Sequence, residues 1–501
     1  MNEHAIRKIV IVGGGTAGWM AAAALSGWVP KGSTEIVLVE SDEIGTVGVG
    51  EATIPPLITF NQMLGLNEDE FLAAAQGTFK LGIEFVDWGA LGERYFHPFG
   101  SHGADLNGVH FHQFYLRETK HRPLADIREW SMSAVAAGLG RFARPGAGAR
   151  LPLSQLVYAF HFDAGLYAQF LRKHAEGKGA LRIEGKIVDA SLDGQSGNVQ
   201  SVTLADGRSI DGDLFIDCSG FRGLLIEEKL GTGYESWGKW LICDRAAAVP
   251  CELPGPADPF TRSTARSAGW QWRIPLQHRM GNGLVYSSAH IDRAGAEQVL
   301  LANLEGEPLA EPRHLSFTAG RRRLAWNANV VSLGLSSGFV EPLESTSIHL
   351  VQSGIAKLLA LFPDRRFNPS ERDLYNRQMQ DVFEDVRDFV ILHYKATRRD
   401  DSEFWNYCRT MDVPDGLASK LELWRSKGRL FRDGQELFGP ASWVALLLGQ
   451  GVVPEDYEPA VTAIDAGIAA EMLDKMHVSY RQMAEQMPTH AEFIAQACAA
   501  G

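Results

Sequence analysis

The segment Gly13-Gly14-Gly15-Thr16-Ala17-Gly18 constrains this chain more than any other, because of what flanks it. It follows the apolar run Lys8–Val12 and precedes the alanine-rich stretch Trp19–Gly27, so it reads as the turn between a buried strand and a helix. Glycines in a GxGxxG turn allow a tight reversal and let backbone approach a pyrophosphate, while the helix start offers free N–H groups and a favourable dipole. The next run, Glu35–Glu40, reads as a second strand ending on an acid 22 residues beyond Gly18, where a carboxylate meets a ribose hydroxyl. Strand, helix and strand make a βαβ unit that feeds a parallel sheet with a right-handed crossover. Gly13, Gly15, Thr16, Ala17, Gly18 and Glu40 are therefore the expected dinucleotide contacts.

Two further segments favour FAD over NAD. Val47-Gly48-Val49-Gly50-Glu51-Ala52-Thr53 is glycine-punctuated and comes soon after the acidic strand. There the backbone of Val49, Gly50 and Ala52 is expected to lie along a flat flavin ring. Asp211–Gly220 (DGDLFIDCSG) resembles the second FAD fingerprint of glutathione-reductase-type flavoproteins. A second GxGxxG in a βαβ setting does not occur, so reduced flavin is expected from a separate source.

The 501 residues allow two or three structural units around a large core. The expected class is α/β, an FAD/NAD(P)-binding fold with an inserted β-rich region and a mostly helical C-terminal part. Residues 1–345 read as the FAD module, interleaved with a substrate region at about 81–180 and 241–330, and residues 346–501 as a helical subdomain over the substrate site. Leu181–Val202 and Leu214–Asp217 read as strands; Ser347–Phe362, Glu371–Lys395 and Ile464–Ala499 carry helical spacing. A formal net charge of -13 argues against a nucleic-acid partner. The basic run Arg321-Arg322-Arg323 reads as solvated surface. Five scattered cysteines without a CxxC pair fit reduced thiols better than disulfides or a metal site. Only seven residues precede Lys8, and no apolar stretch reaches the roughly 18 residues of a membrane span, so a cytoplasmic protein is expected.

Trp270-Gln271-Trp272-Arg273-Ile274-Pro275 fits WxWxIP. Gly48–Thr53, Gly77–Lys80, Phe339–Thr346 (FVEPLEST) and Arg387–Tyr394 followed by Phe404-Trp405 are four further blocks. Taken in their order along the chain, the five blocks resemble the flavin-dependent tryptophan-halogenase family, and the likeness runs from the first strand to roughly residue 460. The resemblance implies an enzyme in which reduced FAD, dioxygen and chloride or bromide yield hypohalous acid. That oxidant passes through a tunnel, lined by Trp270, Trp272, Ile274 and Pro275, to an aromatic substrate kept away from the flavin.

Further roles follow from the resemblance. Lys80 matches the essential lysine, which orients hypohalous acid or is itself halogenated at nitrogen; by spacing alone it would read as a surface lysine after a helix. Glu344 matches the catalytic glutamate, which steadies the cationic intermediate and takes the ring proton; locally it also reads as an acid opening an apolar helix. Thr346 and Ser347 correspond to the halide-binding pair, with a serine where characterised members have glycine. Ile187, Leu335 and Ile348 are carried over as additional cofactor contacts. His97 and Phe99 match a His-x-Phe pair whose rings sandwich an indole.

The tryptophan-specific members grip the substrate's charged ends with paired tyrosines and a nearby glutamate. The comparable stretch here, Phe438–Gln450, has neither, and offers Trp443 as an aromatic wall or as core. An indole or indole derivative is therefore expected in place of free tryptophan. A separate flavin reductase is the implied partner, and homodimers are common in the family. Two competing readings are an aromatic monooxygenase, which would place substrate against the flavin, and a flavin-binding protein without turnover. Neither should depend on halide.

Overall fold

The computed structural model describes residues 3–30, 32–43, 50–146, 148–432 and 434–500. Strand β1 (Lys8–Val12), helix α1 (Thr16–Trp28) and strand β2 (Glu35–Glu40) form the expected βαβ unit, with Ile9 paired to Ile36 in parallel register. On its other side β1 pairs in parallel with Leu214–Asp217, and Leu181–Glu184 flanks β2, within a six-stranded sheet. The strand period of two divides the apolar side chains. Ile9, Ile11 and Leu38 pack with the alanines and Met20 of α1, while Val10, Val12, Val37 and Val39 pack with Ile187, Val202 and Leu204 of a small antiparallel sheet. Each such fully buried side chain stabilises the fold by roughly 1.5–3 kcal/mol, and together they hold the glycine turn at the strand ends rigid.

A second sheet of seven strands crosses the middle of the chain. Gly269–Pro275 lies at its centre between Thr261–Arg266 and Met280–Tyr286, both antiparallel to it. Gly82–Val86 and Arg94–Pro98 extend this sheet, which joins the start of the 81–180 region to the 241–330 region. Within 81–180 the strands are Gly82–Val86, Arg94–Pro98 and Ala159–Asp163, and the chain between the last two is mainly helix and loop. The alanine-rich Met132–Gly138 and Phe111–Thr119 are helices, and Ala164–Gly177 packs on α1. Leu181–Glu184 then joins the cofactor sheet.

The C-terminal part is helical, beginning with Ser347–Ala360 and the long Pro369–Lys395. The continuous pattern at 464–499 resolves into Ala466–Glu485 and His490–Ala497. Pro488 lacks the N–H to continue the first helix, and Thr489 starts the second with a reciprocal capping box to Glu492. The basic run is also corrected: Arg321 and Arg322 are buried, paired with Glu235, Glu384 and Glu227, and only Arg323 is exposed. The sequence pattern conceals this because the partner acids lie far along the chain. Among the described residues all five cysteines are unpaired, and no helix is long and apolar enough to cross a membrane.

Candidate functional site

The fold brings the expected dinucleotide contacts together at the carboxyl ends of β1 and β2. Gly13 has φ +106°, and a Cβ there would fall 2.4 Å from the Cys218 carbonyl oxygen. A Cβ on Gly14 would fall 1.5 Å from Glu40 Oε2, so this glycine lets the Glu40 carboxylate lie across the turn. Gly15 caps α1 without a side-chain hydrogen bond, which leaves the first N–H groups of the helix free for phosphate oxygens. Glu40 Oε1 accepts from Arg182 Nε at 2.5 Å, so its orientation is fixed from the adjacent strand. Leu335 sits in a short turn, Gly334–Ser336, whose Gly334 abuts Ala17, and Ile348 belongs to the helix packed on α1. Ile187 begins the strand that follows Leu181–Glu184 and buries its side chain beneath β2. This glycine cradle with its uncapped helix start fits FAD. Val49 lies outside the described residues; Gly50 and Ala52 form a short strand beside His161 and Asp163, with Ile274 against Gly50.

Lys80 is fully buried, contrary to its reading by spacing alone. It ends the short strand Thr78–Lys80, which pairs with Ala159–Asp163. Its Nζ donates to the Thr53 carbonyl at 3.0 Å and to Ser345 Oγ at 2.7 Å, and lies 5.2 Å from the Phe99 ring centroid. Burial lowers its pKa from 10.5 to about 7, a shift the nearby Glu344 carboxylate opposes. Ser345 is held at φ +60°, a left-handed conformation that costs a serine on the order of 1 kcal/mol and serves here to aim Oγ at the lysine. Thr346 is buried and its Oγ1 has no partner among the described residues. The helix Ser347–Ala360 starts immediately after it without a side-chain cap. An orphaned hydroxyl beside free helix N–H groups fits a halide ion.

Glu344 closes a short turn, Pro342–Glu344, ahead of that helix and is 1% exposed. His97 Nδ1 lies 2.9 Å from its Oε2, and His393 Nε2 lies 2.5 Å from its Oε1. The expected ring of the substrate sandwich, His97, is thus tied to the carboxylate, while its neighbour Phe99 accompanies the lysine. Around them is a cluster of rings: Phe389 stacks on Phe438 at 3.9 Å and lies 5.6 Å from His97. Trp443 meets the edge of Phe389 at 5.5 Å and is buried, so it is both packed core and part of this aromatic wall.

Ile274 of the Trp270 strand meets Gly50, and the Trp270 ring lies 6.5 Å from Trp88, which neighbours His393. Trp272 fits against the register partner Gly283, whose missing side chain leaves room for the indole. Thr78 donates to the carbonyl oxygen of Pro275 at 2.8 Å, fixing the strand end beside the Lys80 strand. Trp270 Nε1 donates at 2.9 Å to Glu341 Oε2, which also accepts from Tyr394 at 2.5 Å. Burial raises the Glu341 pKa from 4.5 to about 7, which keeps a neutral carboxyl group populated. Sequence reasoning assigned no role to Glu341, Ser345, Thr53, His393, Tyr394, Phe389 or Phe438. All but Phe438 lie inside the family-like blocks, which was the available signal.

A sequence model of the family described as tryptophan halogenase matches residues 8–466. A 7-chloro-L-tryptophan 6-halogenase, KtzR, of Kutzneria sp. (strain 744) is 35% identical over 97% of this chain and 99% of its own length. Among solved structures, BrvH, a flavin-dependent halogenase from Brevundimonas sp. BAL3, superposes with a TM-score of 0.95 at 48% identity, covering 98% of this chain and 99% of its own. Xcc4156, a flavin-dependent halogenase from Xanthomonas campestris, does so with a TM-score of 0.95 at 47% identity over 99% of both chains. The glycine cradle, the buried lysine and the paired carboxylate therefore belong to a member of the tryptophan-halogenase family, a flavin-dependent halogenase.

Proposed function

We propose that this enzyme halogenates an electron-rich aromatic, an indole or indole derivative in preference to free tryptophan, with Lys80 passing on the oxidised halogen. Reduced FAD, received from a separate flavin reductase, and dioxygen supply the oxidising power that turns chloride or bromide into hypohalous acid. Thr346 and Ser347 hold the halide at the helix start, and Trp270, Trp272, Ile274 and Pro275 line the way from the flavin side. Lys80, whose lowered pKa makes a neutral amine accessible near pH 7, takes the halogen at Nζ or orients hypohalous acid by donating to it. The ring carbon gains halogen, its C–H electron pair returns to the ring, and Glu344 accepts the proton. His97, Phe99 and Trp443 provide aromatic surface for an uncharged ring.

The observation that carries this reading is the burial of Lys80 beside Glu344, with the unpartnered Thr346 hydroxyl one residue from Ser345. The uncharged rings around Glu344, and a 438–450 stretch without tyrosine pair or glutamate, support an indole over an amino-acid substrate. The test is competition between indole and tryptophan in bromide with FAD, a flavin reductase and NADH. Bromoindole should dominate the products. Predominant bromotryptophan would refute the substrate assignment, and an oxygenated product formed without halide would refute the reaction.

A further inference from the structure

Glu344 is gripped from two sides, and one of the grips has no part in the halogen transfer itself. His393, on the helix Pro369–Lys395, is fully buried, with Nε2 at 2.5 Å from Glu344 Oε1. Rings surround it: Phe85, Trp88 and Phe389 have centroids 4.7, 5.9 and 5.2 Å from its own. Its second nitrogen, Nδ1, is buried with no partner among the described residues. An aromatic enclosure of this kind strongly disfavours an imidazolium, so the ring carries one proton.

The position of that proton follows from the unpartnered nitrogen. A proton on Nδ1 would leave a buried N–H donor with no acceptor, which folded proteins rarely tolerate. A proton on Nε2 is instead donated to Glu344, and only a lone pair faces the rings. His97 Nδ1 approaches the other carboxylate oxygen at 2.9 Å. The helix itself is pinned at this point, since Gln450 Nε2 donates to the His393 carbonyl at 3.0 Å and the next residue, Tyr394, donates to Glu341. Two consecutive residues of one helix thus hold the carboxyl groups of Glu344 and of Glu341, the residue just before its turn.

We propose that His393 is a positioning residue for halogenation: its Nε2–H fixes the Glu344 carboxylate as an acceptor aimed at the ring proton beside Lys80. This rests on the reading of Glu344 as the base. His393 keeps its own proton throughout, and the ring proton goes to Glu344.

The test compares His393→Gln with His393→Asn in the full-length enzyme, with indole, bromide, FAD and a flavin reductase. The glutamine amide reaches about as far as Nε2, whereas the asparagine amide reaches only as far as Nδ1. We expect H393N to lower kcat by about ten- to a hundredfold, the scale of a misplaced catalytic group, with the KM for indole nearly unchanged. A primary isotope effect should appear in H393N with indole deuterated at the halogenated carbon, because proton removal becomes slow. H393Q should recover to within a few-fold of wild type. Equal activity in the two variants, equal loss in both with lowered melting temperatures, or a change in KM alone would each overturn the proposal. Glu344→Gln is measured alongside: full activity there would sink the base itself, whereas an inactive E344Q with an unimpaired H393N would sink only the role of His393.

Discussion

Lys80 sits where an ammonium is least welcome, and its titration separates the two ways it could act. Folded, its pKa is about 7; unfolded, it is near 10.5. If Nζ must bond halogen, the neutral amine is the active form, and kcat should rise through about pH 7 and level off above it. If the ammonium only orients hypohalous acid, kcat should fall over the same range. We predict the rise, measured as kcat at saturating indole across that range. The same shift enters stability with a definite sign. Between about pH 7 and 10.5 the unfolded chain holds the proton that the folded chain has lost, so this contribution becomes more favourable as pH increases. Lys80→Arg places a group that stays charged at the same position. It should cut halogenation by at least about a hundredfold while FAD remains bound, as bromoindole yield and flavin absorbance would report.

At the scale of elements, two turns do the positioning, and they were unequally legible. The glycine turn after β1 could be read directly, because GxGxxG, the flanking periodicities and Glu40 are all local signals. Gly14→Ala puts a methyl into the space of the Glu40 carboxylate, and we expect FAD affinity to fall sharply with little change in circular dichroism. The turn Pro342–Glu344 and its neighbours depend on partners from distant strands and helices, so spacing alone could not reveal that Glu341 anchors Trp270 and Tyr394. Its raised pKa means that the folded protein holds an extra proton between about pH 4.5 and 7, and that contribution to stability is lost as pH rises through this window. Glu341→Gln, a neutral isostere, should therefore flatten the fall of melting temperature between pH 5 and 7. Glu341→Ala orphans two buried donors and should cost about 1–3 kcal/mol by denaturant unfolding.

For the molecule as a whole, the sheet order explains what the chain order hides. The α/β class, β1, β2 and the Leu214–Asp217 strand followed from apolar patterning, and the helical C-terminal part from its 3.6-residue spacing. The place of Gly82–Val86 and Arg94–Pro98 in the second sheet did not, because Gly82–Val86 finds its partner, Thr261–Arg266, far along the chain. In the site, Lys80 and Glu344 were identified through resemblance alone. Their burial, and the histidine on each carboxylate oxygen, emerge only when four distant segments meet. On the proposed function, oxidised halogen reaches the substrate through Lys80. The most direct test is bromoindole formation by wild type and Lys80→Ala under matched flavin turnover. Loss of the bromine isotope pattern in K80A, with flavin still reoxidised, is the predicted result; undiminished bromoindole from K80A would contradict it.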